Sequence, residues 1–211
     1  KKVIVSTGSI ERPLIFNNND RPGIMLSSAV KKYSDFFGVI CGNQNILFTN
    51  NDSVYETALS LFNKGIKIKA IIDIRKEGNS EIVNKVKETG IKIYNEYTIV
   101  DTKGYKRIDR IFIMKLSKDG QSVTGSKIEL PCDCLSVSGG WTPAVHLFTQ
   151  SGGKLKFRNK DNTFLPNEYP SDQICIGSCN GEFDIQTIFE NFNVNIKNFL
   201  KISKTGYEDL N

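Results

Sequence analysis

The segment 46–73 constrains the fold most. An apolar run, Ile46-Leu47-Phe48, breaks at Thr49-Asn50-Asn51-Asp52-Ser53 into a helix pattern over 54–64, closed by Gly65, and a second apolar run follows over 66–72. Strand, turn, helix and strand in that order read as one βαβ unit, whose crossover makes the two strands parallel. Dinucleotide-binding folds begin this way, but their turn carries glycines so that phosphate can approach the backbone amides at the helix N-terminus. Here the turn carries Asn50 and Asn51, which tolerate left-handed backbone yet bring bulk. It reads as a scaffold kept without its phosphate cradle, with dinucleotide binding as the alternative. Asp52 or Ser53 can cap the helix, with Glu56 near the place that completes a capping box. Asp73 stands where a ribose-binding carboxylate would, or as half of a plain surface ion pair with Arg75.

The alternation continues on both sides. A helix pattern over 80–89 closes on Gly90 and leads to a strand over 91–93. Upstream, Val3-Ile4-Val5 reads as a buried strand ending in Ser6-Thr7-Gly8, and Leu26, Ala29, Val30, Tyr33 and Phe37 mark a helix stopped by Gly38. From Tyr97 the period falls to two. Strands over 97–100, 107–116 and 127–130, joined by Thr102-Lys103-Gly104 and Lys118-Asp119-Gly120, make an antiparallel meander. A return strand over 134–138 ends at Gly139-Gly140, another over 174–176 ends at Gly177, and a helix follows over 183–192. The expected fold is α/β: a parallel βαβαβ sheet with a three-stranded antiparallel meander, an NAD-type domain inserted in a partial FAD- or NAD-type Rossmann-like domain. The boundaries expected are 1–38 for the first outer part, 39–143 for the insert and 144–211 for the return. The stretches 3–5 and 174–176 are then neighbours in one sheet. The chain opens on a strand without methionine and looks like an excised piece, with the outer domain's first strand and glycine turn expected upstream.

Composition narrows the function. The 28 basic and 23 acidic residues are dispersed, so the net charge of +5 forms no nucleic-acid patch. No apolar run reaches about 18 residues and no signal peptide is visible, which makes a cytoplasmic protein without membrane contact the expectation. Five cysteines and one histidine do not supply a zinc-site spacing, so no metal is expected and the thiols are read as free and buried. Cys175 and Cys179 approach one another only if the segment is helical, and what precedes them reads as a strand. A redox disulfide is therefore not expected there. His146, on the apolar stretch Val145-His146-Leu147-Phe148, reads as a packed, hydrogen-bonded histidine, and no catalytic residue is assigned.

Four blocks carry a resemblance. Thr7-Gly8-Ser9-Ile10-Glu11-Arg12-Pro13-Leu14, Asn19-Asp20-Arg21-Pro22-Gly23-Ile24-Met25-Leu26, Phe48-Thr49-Asn50-Asn51-Asp52-Ser53 and 137–148 (VSGGWTPAVHLF) resemble the alpha subunits of heterotetrameric sarcosine oxidases, within the two-dinucleotide-domain flavoproteins. The first block is also similar to subunits of opine and hydrogen cyanide producing dehydrogenases. The resemblance implies part of an enzyme that oxidatively demethylates sarcosine to glycine, passing electrons from FAD to FMN to oxygen. FAD and FMN would belong to the parent complex, this alpha domain would hold NAD without turning it over, and the other subunits, beta above all, would be its partners. It implies the Thr7-Gly8 turn and the Gly140-Trp141-Thr142-Pro143 crossover as the two passages between domains. At the second turn Gly177-Ser178 stands where flavin-binding relatives have Gly-Asp, a departure that argues against FAD and is compatible with NAD. Thr7, Gly8, Gly177, Ser178, Asn180 and Phe183 are the candidate cofactor neighbours. A nicotinamide- and FAD-dependent amine or opine-type dehydrogenase subunit, and a non-catalytic interaction module, are the alternatives.

Overall fold

The computed structural model describes residues 2–200. In chain order the elements are β1 (Val3–Val5), β2 (Ser9–Glu11), β3 (Ile24–Leu26), α1 (Ser27–Phe37), β4 (Asn45–Thr49), α2 (Ser53–Asn63), β5 (Ile68–Asp73), α3 (Glu81–Glu88) and β6 (Ile93–Asn95). They continue with β7 (Tyr97–Lys103), β8 (Arg110–Leu116), β9 (Val123–Pro131), β10 (Cys134–Ser138), β11 (Trp141–Pro143), α4 (His146–Gln150), β12 (Lys154–Arg158), β13 (Thr163–Glu168), β14 (Gln173–Cys175) and α5 (Ile185–Leu200). The chain divides into two compact units, one spanning Glu11–Gly140 and the other built from the residues before and after it.

The unit Glu11–Gly140 is the expected α/β body. Its sheet runs β3-β10-β4-β5-β6 with every neighbouring pair parallel. β4 and β10 are buried at every position, as central parallel strands are when both faces are covered. The pleat sends Leu47 and Ile71 toward Val54, Tyr55 and Ala58 of α2 and Val83 and Val86 of α3. It sends Ile46, Phe48, Ala70 and Ile72 into a second cluster with Ile99, Ile111 and Ile113 of the meander β7-β8-β9. Each such side chain contributes about 1.5–3 kcal/mol on burial. Gly38 and Gly65 stop α1 and end the turn after α2 with φ of 64° and 72°, the left-handed conformation that glycine takes at least cost.

The compact unit starts earlier in the chain than the expected insert. The sequence places residues 11–38 in the outer domain, because the loop around Pro13 and the asparagine run hides a strand. Instead Ile24–Leu26 pairs in parallel with β10, and the Ser27 hydroxyl of α1 hydrogen-bonds Thr57 of α2 at 2.9 Å. The compact unit therefore begins at Glu11 and ends at Gly140, rather than at 39 and 143.

The other unit pairs β1 with β14 in parallel, Val5 opposite Cys175. The stretches 3–5 and 174–176 are neighbours, as their sequence placement required. An antiparallel pair β12-β13 and a short ribbon of β2 with β11 complete it. Its core is small: Val5, Phe148, Cys175 and Cys179, with Leu155 packed against them. α5 buries none of its residues, leaving Ile185, Phe189, Phe192 and Val194 exposed.

Gly104, just after β7, has φ near 152°, and a Cβ there would lie 1.8 Å from the carbonyl oxygen of Arg107. Gly104→Ala is expected to lower stability by about 2 kcal/mol or more, read from the urea midpoint. A change within a few tenths would show that the loop between β7 and β8 yields freely.

Candidate functional site

Parallel pairing of β1 and β14 brings two glycine turns to one end of the outer sheet. The amide of Ile176 donates to the carbonyl of Val5 at 3.0 Å, so Thr7-Gly8 and Gly177-Ser178 leave the strands side by side. Strand carboxyl ends are where open α/β sheets accept ligands. Gly8 and Gly177 have φ of 77° and 78°, and a Cβ on Gly8 would reach 4.0 Å from Ser178 Oγ. Both turns therefore need glycine for their backbone, and both keep that backbone approachable.

The structure thus brings Thr7, Gly8, Gly177 and Ser178 together, but their side chains differ in availability. The Thr7 hydroxyl is spent on the carbonyl of Ala144, at 2.5 Å, while the amide of Ala144 donates to the carbonyl of Gly8 at 2.9 Å. Gly177–Asn180 forms a 3-10 turn. Asn180 Oδ1 accepts from the Tyr169 hydroxyl at 2.9 Å, and Phe183 is exposed beyond it. The first turn of α5 is capped by Asp184, whose Oδ2 accepts from the amide and the hydroxyl of Thr187, each at 2.7 Å. Sequence reading missed that cap, although an aspartate three residues ahead of a threonine in an apolar-periodic run is its usual signal.

In the inserted unit the turn after β4 is closed on itself. Asn51 Oδ1 accepts the amide of Ser53 at 3.0 Å and its hydroxyl at 2.6 Å, occupying an N-terminal helix donor of the kind a phosphate oxygen takes. Asn51 Nδ2 donates to Asn50 Oδ1 and to the carbonyl and hydroxyl oxygens of Ser138 on β10. Thr49 Oγ1 accepts the amide of Asn51 at 3.0 Å. The capping expectation is corrected: Asp52 sits at the N-cap without a side-chain bond to the helix, and Asn51 supplies the oxygen instead. Asp52 turns to Arg75, 2.8 Å away.

Asp73 ends β5 as expected, but it is neither free for a ribose nor on the surface. It is 1% exposed and takes three bonds from Arg75, through the backbone amide, Nε and Nη2, at 2.9, 3.0 and 2.7 Å. The Tyr55 hydroxyl donates to the same carboxylate at 2.9 Å. Burial works against the Arg75 charge, yet bonds to Asp73 and Asp52 hold its pKa above the usual guanidinium value. Burial, reinforced by the Asp73 charge, pushes the Tyr55 hydroxyl upward.

His146 corrects another expectation. It starts α4 on the exposed side, and Phe148 of the same helix fills the core in its place. Leu147 beside it is exposed as well, and Phe148 is the buried residue of the helix. Among the described residues no cluster of His, Cys, Asp or Glu is placed to hold a metal ion, and no helix is long and apolar enough to cross a membrane.

No protein-family model matches the chain. In sequence it is 34% identical over 185 residues to the sarcosine oxidase subunit alpha of Corynebacterium sp. (strain P-1), covering 87% of this chain and 19% of that protein. The sarcosine oxidase subunit alpha of Rhizobium meliloti (strain 1021) is 32% identical over 164 residues, covering 78% of this chain and 15% of that protein. The chain thus spans about a fifth of the length of the curated relatives it matches. Among solved structures it superposes on thioredoxin reductase from Lactococcus lactis with a TM-score of 0.70 at 18% identity, covering 95% of this chain and 65% of that one. L-proline dehydrogenase from P. horikoshii gives 0.58 at 19% identity, covering 85% of this chain and 30% of that one. At these identities the likeness shows the fold alone. Over most of its length the chain is a relative of one segment of the sarcosine oxidase alpha subunits, on the Rossmann-like α/β fold it shares with the thioredoxin reductases.

Proposed function

We propose that this chain is part of the alpha subunit of a cytoplasmic enzyme that oxidatively demethylates sarcosine to glycine with oxygen as acceptor. It supplies a dinucleotide-binding scaffold and contacts to the other subunits, beta among them, and no catalytic group. The observation that carries this reading is the pair of glycine turns at one end of the β1-β14 sheet, in a chain 34% identical to an alpha subunit. In this reading NAD lies over Thr7, Gly8, Gly177 and Ser178, with Asn180 and Phe183 at its margin. The uncharged Ser178 favours it over FAD, while FAD and FMN belong elsewhere in the complex. Two strands of three residues cannot stand alone as a parallel sheet, so the rest of the subunit contributes the strands beside them. The inserted unit acts as scaffold, because Asn51 and Arg75 already occupy the groups a nucleotide would use.

The test uses the full-length parent subunit, purified with its partners and denatured to release its cofactors. Gly177→Val, whose new side chain would project from a left-handed turn against Ile188 of α5, is expected to cut the NAD content at least about tenfold, a loss of about 1.4 kcal/mol of binding. Asn51→Ala should leave that content unchanged. FAD released from this subunit, or NAD content indifferent to Gly177→Val, would overturn the assignment.

A further inference from the structure

Cys175 and Cys179 share one small buried core with Val5 and Phe148. A strand end and a 3-10 turn, rather than a helix, bring them together. Cys179 Sγ lies 3.3 Å from the carbonyl of Val5 and 3.2 Å from that of Ile176, and the Cys175 thiol hydrogen-bonds to it. The other three thiols are arranged differently. Cys132 directs its sulfur to the carbonyl of Cys134 at 3.2 Å, and these two lie in separate clusters on opposite faces of the sheet. Cys41 is half-buried beside the cluster that holds Cys134.

We propose that Cys175 and Cys179 are a dithiol that two-electron oxidants of the peroxide class convert to an intramolecular disulfide. One thiolate attacks a peroxide oxygen, the O–O bond breaks, and hydroxide leaves to be protonated, giving a sulfenic acid. The second sulfur displaces that hydroxyl as water, forming the S–S bond, so two thiols and one hydrogen peroxide become one disulfide and two waters. The bond from Cys175 holds Cys179 down, against the opposing effect of burial and with help from the Thr7 amide, while Cys175 is pushed up. The remaining thiols move the other way: burial raises Cys41, Cys132 and Cys134, the last to about 12. The bond would tie the end of β14 to the turn that carries Gly177 and Ser178.

The experiment treats the full-length parent subunit with hydrogen peroxide, blocks the remaining thiols and maps the peptides of this segment by mass. Loss of two of the segment's five free thiols, with a fragment pair joined through Cys175 and Cys179, is expected. Cys175→Ser should abolish that linkage and leave Cys179 trapped by dimedone as sulfenic acid, and Cys41→Ser should leave the linkage intact. A disulfide between Cys41 and Cys134, or five thiols surviving peroxide in the folded chain, would overturn the proposal. The thiol count is independent of whether the chain holds NAD, so the two readings fail separately.

Discussion

Asp73→Ala is expected to destabilise the protein by about 3 kcal/mol, since breaking a buried charged network leaves its partners unsatisfied. The carboxylate accepts from Arg75 and from the Tyr55 hydroxyl, and Tyr55 has no exposed surface through which water could replace the lost acceptor. Arg75 fares better, because Asp52 remains beside it and a third of its side chain reaches solvent. Two milder changes discriminate the cause. Tyr55→Phe removes one donor and leaves Asp73 paired with Arg75, so about 1 kcal/mol should be lost, the usual net worth of one hydrogen bond. Asp73→Asn, which keeps the volume and one acceptor oxygen, should fall between the two. Urea unfolding followed by circular dichroism gives all three values. Should Asp73→Ala cost no more than Tyr55→Phe, the network would not be what fixes the end of β5.

Phe148→Ala should cost about 3–5 kcal/mol, the range for truncating a buried aromatic whose cavity cannot collapse. The ring is fully buried in a core of four residues and meets Tyr169 edge-on at 5.0 Å between centroids. A Cβ on Gly153 would lie 2.4 Å from its Cζ, so the backbone of that turn packs directly under the ring. Gly153→Ala should therefore be strongly destabilising in the native sequence and far less so once Phe148 is alanine, a coupling that a double-mutant cycle reads directly. The single tryptophan, Trp141 on β11, belongs to the same unit, and its fluorescence reports the transition. Additive effects at the two positions would mean that the ring and the turn do not meet in solution.

Much of the inserted unit was legible because its signals are local. The continuous apolar run Ile46-Leu47-Phe48 announced a doubly covered strand, glycines after α1, α2 and α3 marked the helix ends, and the change of period at Tyr97 marked the meander. The hairpin β12-β13 was missed: Lys154-Leu155-Lys156-Phe157-Arg158 alternates properly, but its loop lacks an Asn-Gly or Asp-Gly signal and its outer face leaves Phe157 and Phe164 exposed. Three-residue strands such as β2 and β3 are too short for periodicity to register, which displaced the boundary at Glu11. The clasp made by Asn51 was illegible for another reason. Sequence places an asparagine in the turn, yet only coordinates show that its carboxamide reaches Ser53 and Ser138 together. The Cys175 and Cys179 contact likewise depends on a 3-10 turn that no residue pattern announced.

The closed turn at Asn51 has a thermodynamic consequence. A fold that borrows an external molecule at this point is stabilised by mass action, gaining about 2.7 kcal/mol when that molecule reaches a hundred times its dissociation constant. A carboxamide filling the same place is tethered, so its local concentration never varies. The melting temperature of such a domain stays constant while cellular metabolite levels rise and fall.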